Sequence, residues 1–349
     1  MVETLRRETG TKPVVGLAGF FGYGNYGDEL FVSVYKEYLQ DHFDLRFMSD
    51  QLAKPYYSKP INEVVDGVDA IVIGGGDIVQ PWNMDPRYFS KEFLNKPVFV
   101  IGVGVPIRSG SNMNPNHAEK DWIVDKYASF FNHPSVKFIH ARDQQSATWI
   151  TSKTKPAIGV FEAPDVVCAL TLPAATAKPD QPVLGIVTRQ RPNQDDDYTQ
   201  LNALAEQQRK RGWHIRHIIL GTGEVGVRDL ADAVDVTGPK ELIYSESLDD
   251  LTRAIGGCTA LASMKFHGTV VATMYGVPST VLIPTNKNRN FMNRIGRGDL
   301  LSKYDDPTLC ERFETPPAPI APESVAMLRD RAKDVMIRLR DGLHAAIGR

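Results

Sequence analysis

Apolar runs alternate with amphipathic stretches along the first half of the chain. Four short apolar runs predict buried strands, at 14–20, 70–73, 97–105 and 136–140. Residues 28–40 predict a helix, because Leu30, Val34 and Tyr38 fall on one helical face. Strands that alternate with helices in this way are typical of a parallel sheet covered by helices.

The same pattern restarts in the second half, after a break at 172–182. That break contains three prolines and no hydrophobic period, which predicts a linker. A long amphipathic helix is predicted near the end of the chain, at 323–347. The sequence therefore predicts two similar α/β domains that face each other across a cleft, followed by a helix, with bounds at 1–171, 183–320 and 321–349.

Composition narrows the class of protein. The 349 residues carry 40 basic and 42 acidic side chains, a formal net charge of −2, so binding to nucleic acid is not indicated. Cys168, Cys258 and Cys310 are widely spaced, which indicates thiols in a reducing compartment and no metal site. Since no run of 18 apolar residues occurs, we expect a cytoplasmic protein.

Titratable and cationic side chains concentrate in the segment 260–287. This segment predicts a strand–helix–strand unit in which Lys265 and His267 follow the first strand and Lys287 follows the second. Because the carboxyl ends of parallel strands share one edge, all three side chains should face the same cleft. Two cations and a helix N-terminus suit an anion such as phosphate, and imidazole suits proton transfer. Packing or capping by His267 is the alternative.

A glycine-rich turn at 22–27 matches the spacing of a dinucleotide-binding fingerprint. Asp28 and Glu29 directly follow it, where their charges would repel a pyrophosphate. The two carboxylates can cap the helix or bind an uncharged polar acceptor such as a sugar, and Asn25 can serve either purpose. A dinucleotide-dependent oxidoreductase remains an alternative on the spacing alone.

Further polar residues follow other predicted strands. Asp77 comes after three glycines and can cap a helix or contact a ligand. Arg142 follows the strand at 136–140, and Arg189 follows the first strand of the second domain. A guanidinium at such a position can grip a phosphate or carboxylate through two parallel hydrogen bonds, although a surface ion pair is equally consistent.

The ordered set of these motifs resembles the polysaccharide pyruvyl transferase family. Members have a Gly-Asn-x-Gly-Asp-Glu element, glycine-rich strand ends, an Arg-Asp pair with a serine three residues on, and a Ser-x-Arg-Leu-His segment before Gly-x-Pro and a lysine. This chain matches them at 24–29, 73–76, 102–104, Arg142-Asp143 with Ser146, 263–267, 276–278 and Lys287. Two positions differ, since Lys265 stands where the family has arginine and Phe266 where it has leucine. Lysine keeps the charge but loses bidentate geometry.

The resemblance implies a GT-B-like fold of two Rossmann-like domains. It implies phosphoenolpyruvate as donor substrate, without a metal or other cofactor, and a hexose of a cell-surface glycan or its lipid-linked precursor as acceptor. The product would be a pyruvate ketal, with His267 as general acid. We expect the second domain to bind the donor and the first to bind the acceptor, although Arg142 of the first domain is assigned to the donor. The expected donor contacts are Arg142, Arg189, Lys265 and Lys287. The expected acceptor contacts are Asn25, Asp28, Glu29 and Asp77.

Other functions fit the same features. A GT-B-like glycosyltransferase with a nucleotide-sugar donor shares the fold and the cleft, and a non-catalytic glycan-binding relative fits the substitution at Lys265. Binding of a lipid-linked acceptor would allow peripheral association with a membrane. The sequence leaves the acceptor sugar and the oligomeric state open.

Overall fold

The computed structural model describes residues 12–107, 115–177, 180–189 and 198–348. The predicted units are not described in full: residues 1–11 and 108–114 of the first predicted domain, 178–179 of the predicted linker, 190–197 of the second predicted domain and residue 349 lie outside this description. The described chain forms two parallel sheets, one from residues before 163 and the other from residues after 182. The predicted fold class, two α/β units with parallel sheets, is confirmed.

The first sheet contains six strands in the spatial order β2-β1-β3-β4-β5-β6, all parallel. Its central strands are buried on both faces, which explains their unbroken apolar sequences. The strands are β1 (Val14–Ala18), β2 (Asp44–Phe47), β3 (Ala70–Gly76), β4 (Val98–Val103), β5 (Val136–Ala141) and β6 (Val160–Glu162). The helices of this half are α1 (Tyr26–Leu39), α2 (Ile61–Asp66), α3 (Asp121–Phe131) and α4 (Gln144–Trp149).

The second sheet contains five parallel strands in the order β11-β10-β7-β8-β9. The strands are β7 (Val183–Val187), β8 (His214–Ile218), β9 (Glu241–Ile243), β10 (Ala260–Ser263) and β11 (Ser279–Val281). The helices are α5 (Thr199–Lys210), α6 (Gly223–Ala231), α7 (Leu248–Gly256), α8 (Phe266–Met274) and α9 (Asn286–Arg294). The predicted strand–helix–strand unit is formed by β10, α8 and β11.

The last helix, α10 (Pro322–Ile347), returns to the first half of the molecule. It packs against residues 166–169, α1 and β5, and it buries an apolar stripe as the sequence predicted. Its buried side chains belong to an apolar core that also includes residues of both sheets. Helix α10 therefore joins the two halves. The predicted division of the chain into the units 1–171, 183–320 and 321–349 stays a prediction.

Direct hydrogen bonds join the two halves along the cleft. The Thr222 amide donates to the Gly24 carbonyl at 2.9 Å, and the Tyr26 and Thr252 hydroxyls lie 2.6 Å apart. On the other side of the cleft, Asn290 of α9 donates to the Asp143 carboxylate at 3.0 Å. The loops that follow the strands of both sheets therefore meet. Over the described parts of the chain, no helix has both the length and the apolar character of a membrane span.

Candidate active site

A cavity of about 400 Å³ lies between the two halves. The first half contributes the start of α1, including Asn25 and Gly27, and the second half contributes residues of α6, α8 and α9. Lys265, His267 and Lys287 all line this cavity, so the prediction that they share one cleft is confirmed. The described lining leaves out four other predicted site residues, Asp28, Glu29, Asp77 and Arg142.

His267 lies in the first turn of α8, and its side chain is only 12% exposed. The imidazole Nε2 is buried and lies 3.4 Å from the Asp165 carboxylate, whose side chain is 1% exposed. The other ring nitrogen, Nδ1, lies against Gly27, where a β-carbon would fall 1.8 Å from it. The ring edge also packs on Phe31, with centroids 5.7 Å apart. The imidazole is thus held on several sides.

Asp165 is a residue of this site that the sequence did not reveal. It follows β6, a three-residue strand with no hydrophobic pattern that would predict it. Its Oδ1 accepts the Val167 amide at 3.0 Å, while its Oδ2 faces His267 and lies 3.6 Å from the Arg142 guanidinium. Burial acts to raise the pKa of Asp165, but the neighbouring His267 and Arg142 outweigh it and lower that pKa. The carboxylate is therefore ionised at neutral pH.

Asp77 binds two of the predicted donor-site cations. Its carboxylate accepts a hydrogen bond from Arg142 and another from Lys287 at 3.0 Å. Burial acts to raise the pKa of Asp77, but the two cations prevail and lower it to about 2. Asp77 comes from the first half and Lys287 from the second, so this pair also spans the cleft. The structure thus places Asp77 beside two of the cations predicted to bind the donor, and its predicted contact with the acceptor stays a prediction.

Phe266 supports the same two cations from the other side. The Arg142 guanidinium carbon lies 5.0 Å from the ring centroid, and the Lys287 ammonium lies 5.6 Å from it. Both distances fall within the range of cation–π attraction. The aromatic ring, found where the family has leucine, therefore helps to fix the two cations beside the cavity.

Lys265 is engaged within the second half. Its ammonium donates to the Leu220 carbonyl at 2.7 Å and forms an ion pair with Asp229 of α6. Burial lowers the pKa of Lys265, and Asp229 opposes that shift. The lysine that replaces the family's arginine is thus paired with a carboxylate at the cavity wall, which weakens its attraction for an anionic ligand.

Two guanidinium groups at the cavity are not paired with a carboxylate of the described chain, although Arg228 Nε donates to the Glu224 carbonyl at 3.3 Å and its Nη2 to the Tyr23 hydroxyl at 3.4 Å. Arg189 and Arg228 both line it and are exposed, and among the described residues no carboxylate lies within ion-pair distance of either. Arg228 lies over Tyr23, with 5.6 Å to the ring centroid. The sequence did not single out Arg228, because it lies inside α6, a helix without a clear pattern, and does not directly follow a strand.

The acidic start of α1 has a mainly structural arrangement. Glu29 accepts the amides of Gly22 and Gly24 at 2.8 and 3.0 Å, so it closes the glycine-rich turn. Asp28 is buried and accepts a hydrogen bond from Asn25, and burial raises the pKa of Asp28 to about 6, although His267 opposes this shift. The amides that a pyrophosphate would need are occupied, which argues against dinucleotide binding at this turn.

The N-termini of two helices face the cavity. The residues that cap α8 and α9, Lys265 and Thr285, make no side-chain hydrogen bond to the following amides, and residues of both first turns line the cavity. Unpaired amides and the helix dipole favour an anion at this position. Helix α9 was not predicted, since its polar, asparagine-rich sequence shows no apolar period. It carries Lys287 into the site.

Solved structures with the same architecture show which fold the chain adopts. MnaA from S. aureus, solved with UDP, gives a TM-score of 0.62 at 10% identity, covering 97% of both chains. A UDP-GlcNAc 2-epimerase from Neisseria meningitidis gives 0.57 at 14% identity, covering 94% of this chain and 99% of the other. The wall teichoic acid polymerase TagF gives 0.51 at 10% identity, covering 97% and 90%. The fold is therefore that of the GT-B-like transferases and epimerases, with two Rossmann-like units.

Sequence comparison then identifies the family. A model of the polysaccharide pyruvyl transferase family matches residues 25–286, which is most of the chain and contains nearly all of the cavity lining. The chain belongs to the polysaccharide pyruvyl transferase family, as its motifs predicted. No curated protein is significantly similar to it in sequence.

Proposed function

We propose that this protein transfers a pyruvyl group from phosphoenolpyruvate to two hydroxyls of a hexose in a cell-surface glycan or its lipid-linked precursor. One observation carries the proposal: the His267 imidazole lines a cavity in which two guanidiniums and two helix N-termini provide positive charge for an anion. Family membership supports pyruvylation in general, and the chemistry of the cavity supports this donor.

The donor brings a phosphate and a carboxylate. Arg189 can form two parallel hydrogen bonds with such a group, and Arg228 and Lys287 add positive charge at the cavity. The first turns of α8 and α9 offer amides to the remaining oxygens. These groups would bind the donor and stabilise the phosphate as it departs. Arg142 contributes indirectly, because it does not line the cavity and is paired with Asp77, while Lys265 and Lys287 line the cavity but are each paired with a carboxylate of the protein.

His267 supplies the proton that activates the donor. Protonation of the methylene carbon of phosphoenolpyruvate makes the neighbouring carbon electrophilic, and a sugar hydroxyl then attacks that carbon. A second hydroxyl displaces the phosphate and closes the ketal. The overall reaction balances, since one hydroxyl proton is recovered in the new methyl group and the other leaves with phosphate. Asn25 and the start of α1 border the cavity on the side where the acceptor would enter.

The test is a phosphate-release assay with phosphoenolpyruvate and a panel of glycosides. We expect His267→Gln to reduce turnover by about 10²–10⁴-fold, the range of a lost general acid. Arg189→Ala should mainly raise KM for the donor. His133→Gln and Arg338→Ala are matched controls, because both residues are exposed and neither lines the cavity. Full phosphate release by both site variants would exclude this mechanism.

Thermal-shift measurements separate the alternatives. A ligand that binds the folded chain raises its melting temperature, so stabilisation by phosphoenolpyruvate is expected. Stabilisation by a nucleotide sugar instead would favour the glycosyltransferase alternative, and stabilisation by NAD would favour an oxidoreductase. Acceptor binding without phosphate release would indicate a glycan-binding relative.

A further inference from the structure

Asp165 reaches His267 from the opposite half of the molecule. The carboxylate follows β6 of the first half, whereas the imidazole belongs to α8 of the second half. Asp165 Oδ1 is held by the Val167 amide, which leaves Oδ2 facing the ring at 3.4 Å. Asp165 Oδ2 and His267 Nε2 are both buried, and neither makes a hydrogen bond among the described residues. Two buried polar atoms at this distance are each other's natural partners.

We infer that Asp165 is a positioning residue that holds His267 with the Nε2 proton directed at the carboxylate. This inference rests on the proposed role of His267 as the general acid. A neutral imidazole carries one proton, and the nitrogen that carries it is set by the hydrogen bond the ring makes. With Nε2–H fixed by Asp165, the nitrogen that gains and loses the catalytic proton is Nδ1. That nitrogen lies against Gly27, which lines the cavity.

Neutralising Arg142 is the main alternative role for Asp165. The guanidinium of Arg142 already forms its short ion pair with Asp77, and its distance to Asp165 is longer, at 3.6 Å. Both His267 Nε2 and Arg142 Nη1 are buried without a hydrogen-bond partner among the described residues, but the charge of Arg142 is already balanced by Asp77, whereas the ring has no other carboxylate at Nε2. Asp28 and Asp77 also act electrostatically on His267, but their side-chain bonds go to Asn25 and to the Arg142–Lys287 pair. Among these carboxylates, only Asp165 is placed to orient the imidazole.

The position of this contact links proton transfer to the packing of the two halves. Asp165 and Gly27 belong to the first half and confine opposite sides of a ring that the second half supplies. The imidazole is consequently oriented only when the halves are in contact, so the general acid is assembled across the cleft.

The first measurement is the ¹⁵N NMR spectrum of histidine in the ligand-free wild-type chain, with His267 assigned by its loss in His267→Gln. Above the pH at which the ring loses its charge, we expect the tautomer protonated at Nε2. The tautomer protonated at Nδ1 would overturn the inference. This readout needs no substrate, so it holds or fails separately from the proposed reaction.

The second measurement uses Asp165→Asn, which keeps an oxygen for the Val167 amide and loses the charge. We expect kcat for phosphate release to fall by about 10²–10⁴-fold with KM for phosphoenolpyruvate nearly unchanged, as when a triad carboxylate is replaced by an amide. The pH–rate profile should shift, and Asp165→Glu should recover part of the rate. Asp306→Asn is the control, because Asp306 caps a turn remote from the cavity. A rise in KM alone, or an unchanged kcat, would assign Asp165 to Arg142 and overturn the inference.

Discussion

The charged side chains beside the cavity stabilise one another because positive and negative groups alternate. Five residues follow one another with opposite signs when the imidazole is protonated, and of these Arg142 and Asp165 are buried while the others are partly exposed: Lys287, Asp77, Arg142, Asp165 and His267. A buried charge without a partner costs several kcal/mol, so removal of one member exposes the next to that penalty. Variants in this series therefore need a measurement of folding beside every measurement of activity.

Asp28 predicts a pH dependence of stability. Burial raises the pKa of Asp28 to about 6, above the ordinary value of 3.8. Its contribution to folding is therefore complete below about pH 4 and is lost as the pH rises through about 6. We expect Asp28→Asn to abolish this loss, which amounts to roughly 3 kcal/mol for a shift of about two units. The difference in melting temperature, variant minus wild type, should rise by several degrees between pH 4 and pH 7.

The comparison needs an exposed carboxylate as its control. Asp44 lies on the edge strand β2 and is exposed, so Asp44→Asn should leave the curve of melting temperature against pH parallel to that of the wild type. If Asp28→Asn gave the same parallel curve, the buried environment deduced for Asp28 would be wrong.

At the scale of elements, the close approach of α1 to α8 decides where the imidazole lies. Gly27 lies in the first turn of α1 and presents no side chain to His267 Nδ1. A glycine at this position leaves room for the ring, which the side chain of any other residue would meet. The fit between two helices, one from each half, thus determines the geometry of the site.

Gly27→Ala tests this packing. The added β-carbon would meet Nδ1 at 1.8 Å, so the imidazole must move. We expect kcat for phosphate release to fall by about 10²-fold, as for other small displacements of catalytic groups. Gly159→Ala is the matched control, because a β-carbon there meets nothing within 4 Å. Wild-type turnover in Gly27→Ala would show that the ring has freedom to shift without loss.

At the scale of the whole molecule, α10 closes the fold. The chain leaves the second sheet and returns to cover residues 166–169 and α1 of the first half. Leu328, Val335 and Leu339 of α10 are completely buried there. The first half consequently takes part of its core from the far end of the chain, and we expect both halves to unfold together.

Two aliphatic residues of α10, one buried and one exposed, test whether this helix contributes to the core. Leu339 is completely buried, whereas Ile337, two residues away, is 42% exposed. We expect Leu339→Ala to lower the free energy of unfolding by about 2–5 kcal/mol. Ile337→Ala should lower it by less than about 1 kcal/mol, as is usual at exposed positions. Melting temperatures by calorimetry measure both, and equal effects would contradict the packing described for α10.

The sequence by itself determined the class of fold and the family. Apolar runs and helical periods predicted two parallel sheets, because burial on both faces demands continuous apolar strands. The switch-point rule placed Lys265, His267 and Lys287 in one cleft, because these side chains follow strands of one sheet. Spacing along a single sheet is local information, and the sequence carries it directly.

Only the tertiary structure decided which side chains meet from different halves. Asp165 beside His267, Asp77 between Arg142 and Lys287, and α10 on the first half all join segments far apart in sequence. No period or spacing encodes such contacts, because they depend on how two separately formed sheets pack. The same holds for Arg228, whose exposure at the cavity follows from the packing of α6. Chemical groups can be read from the chain, but their partners are set when the two halves come together.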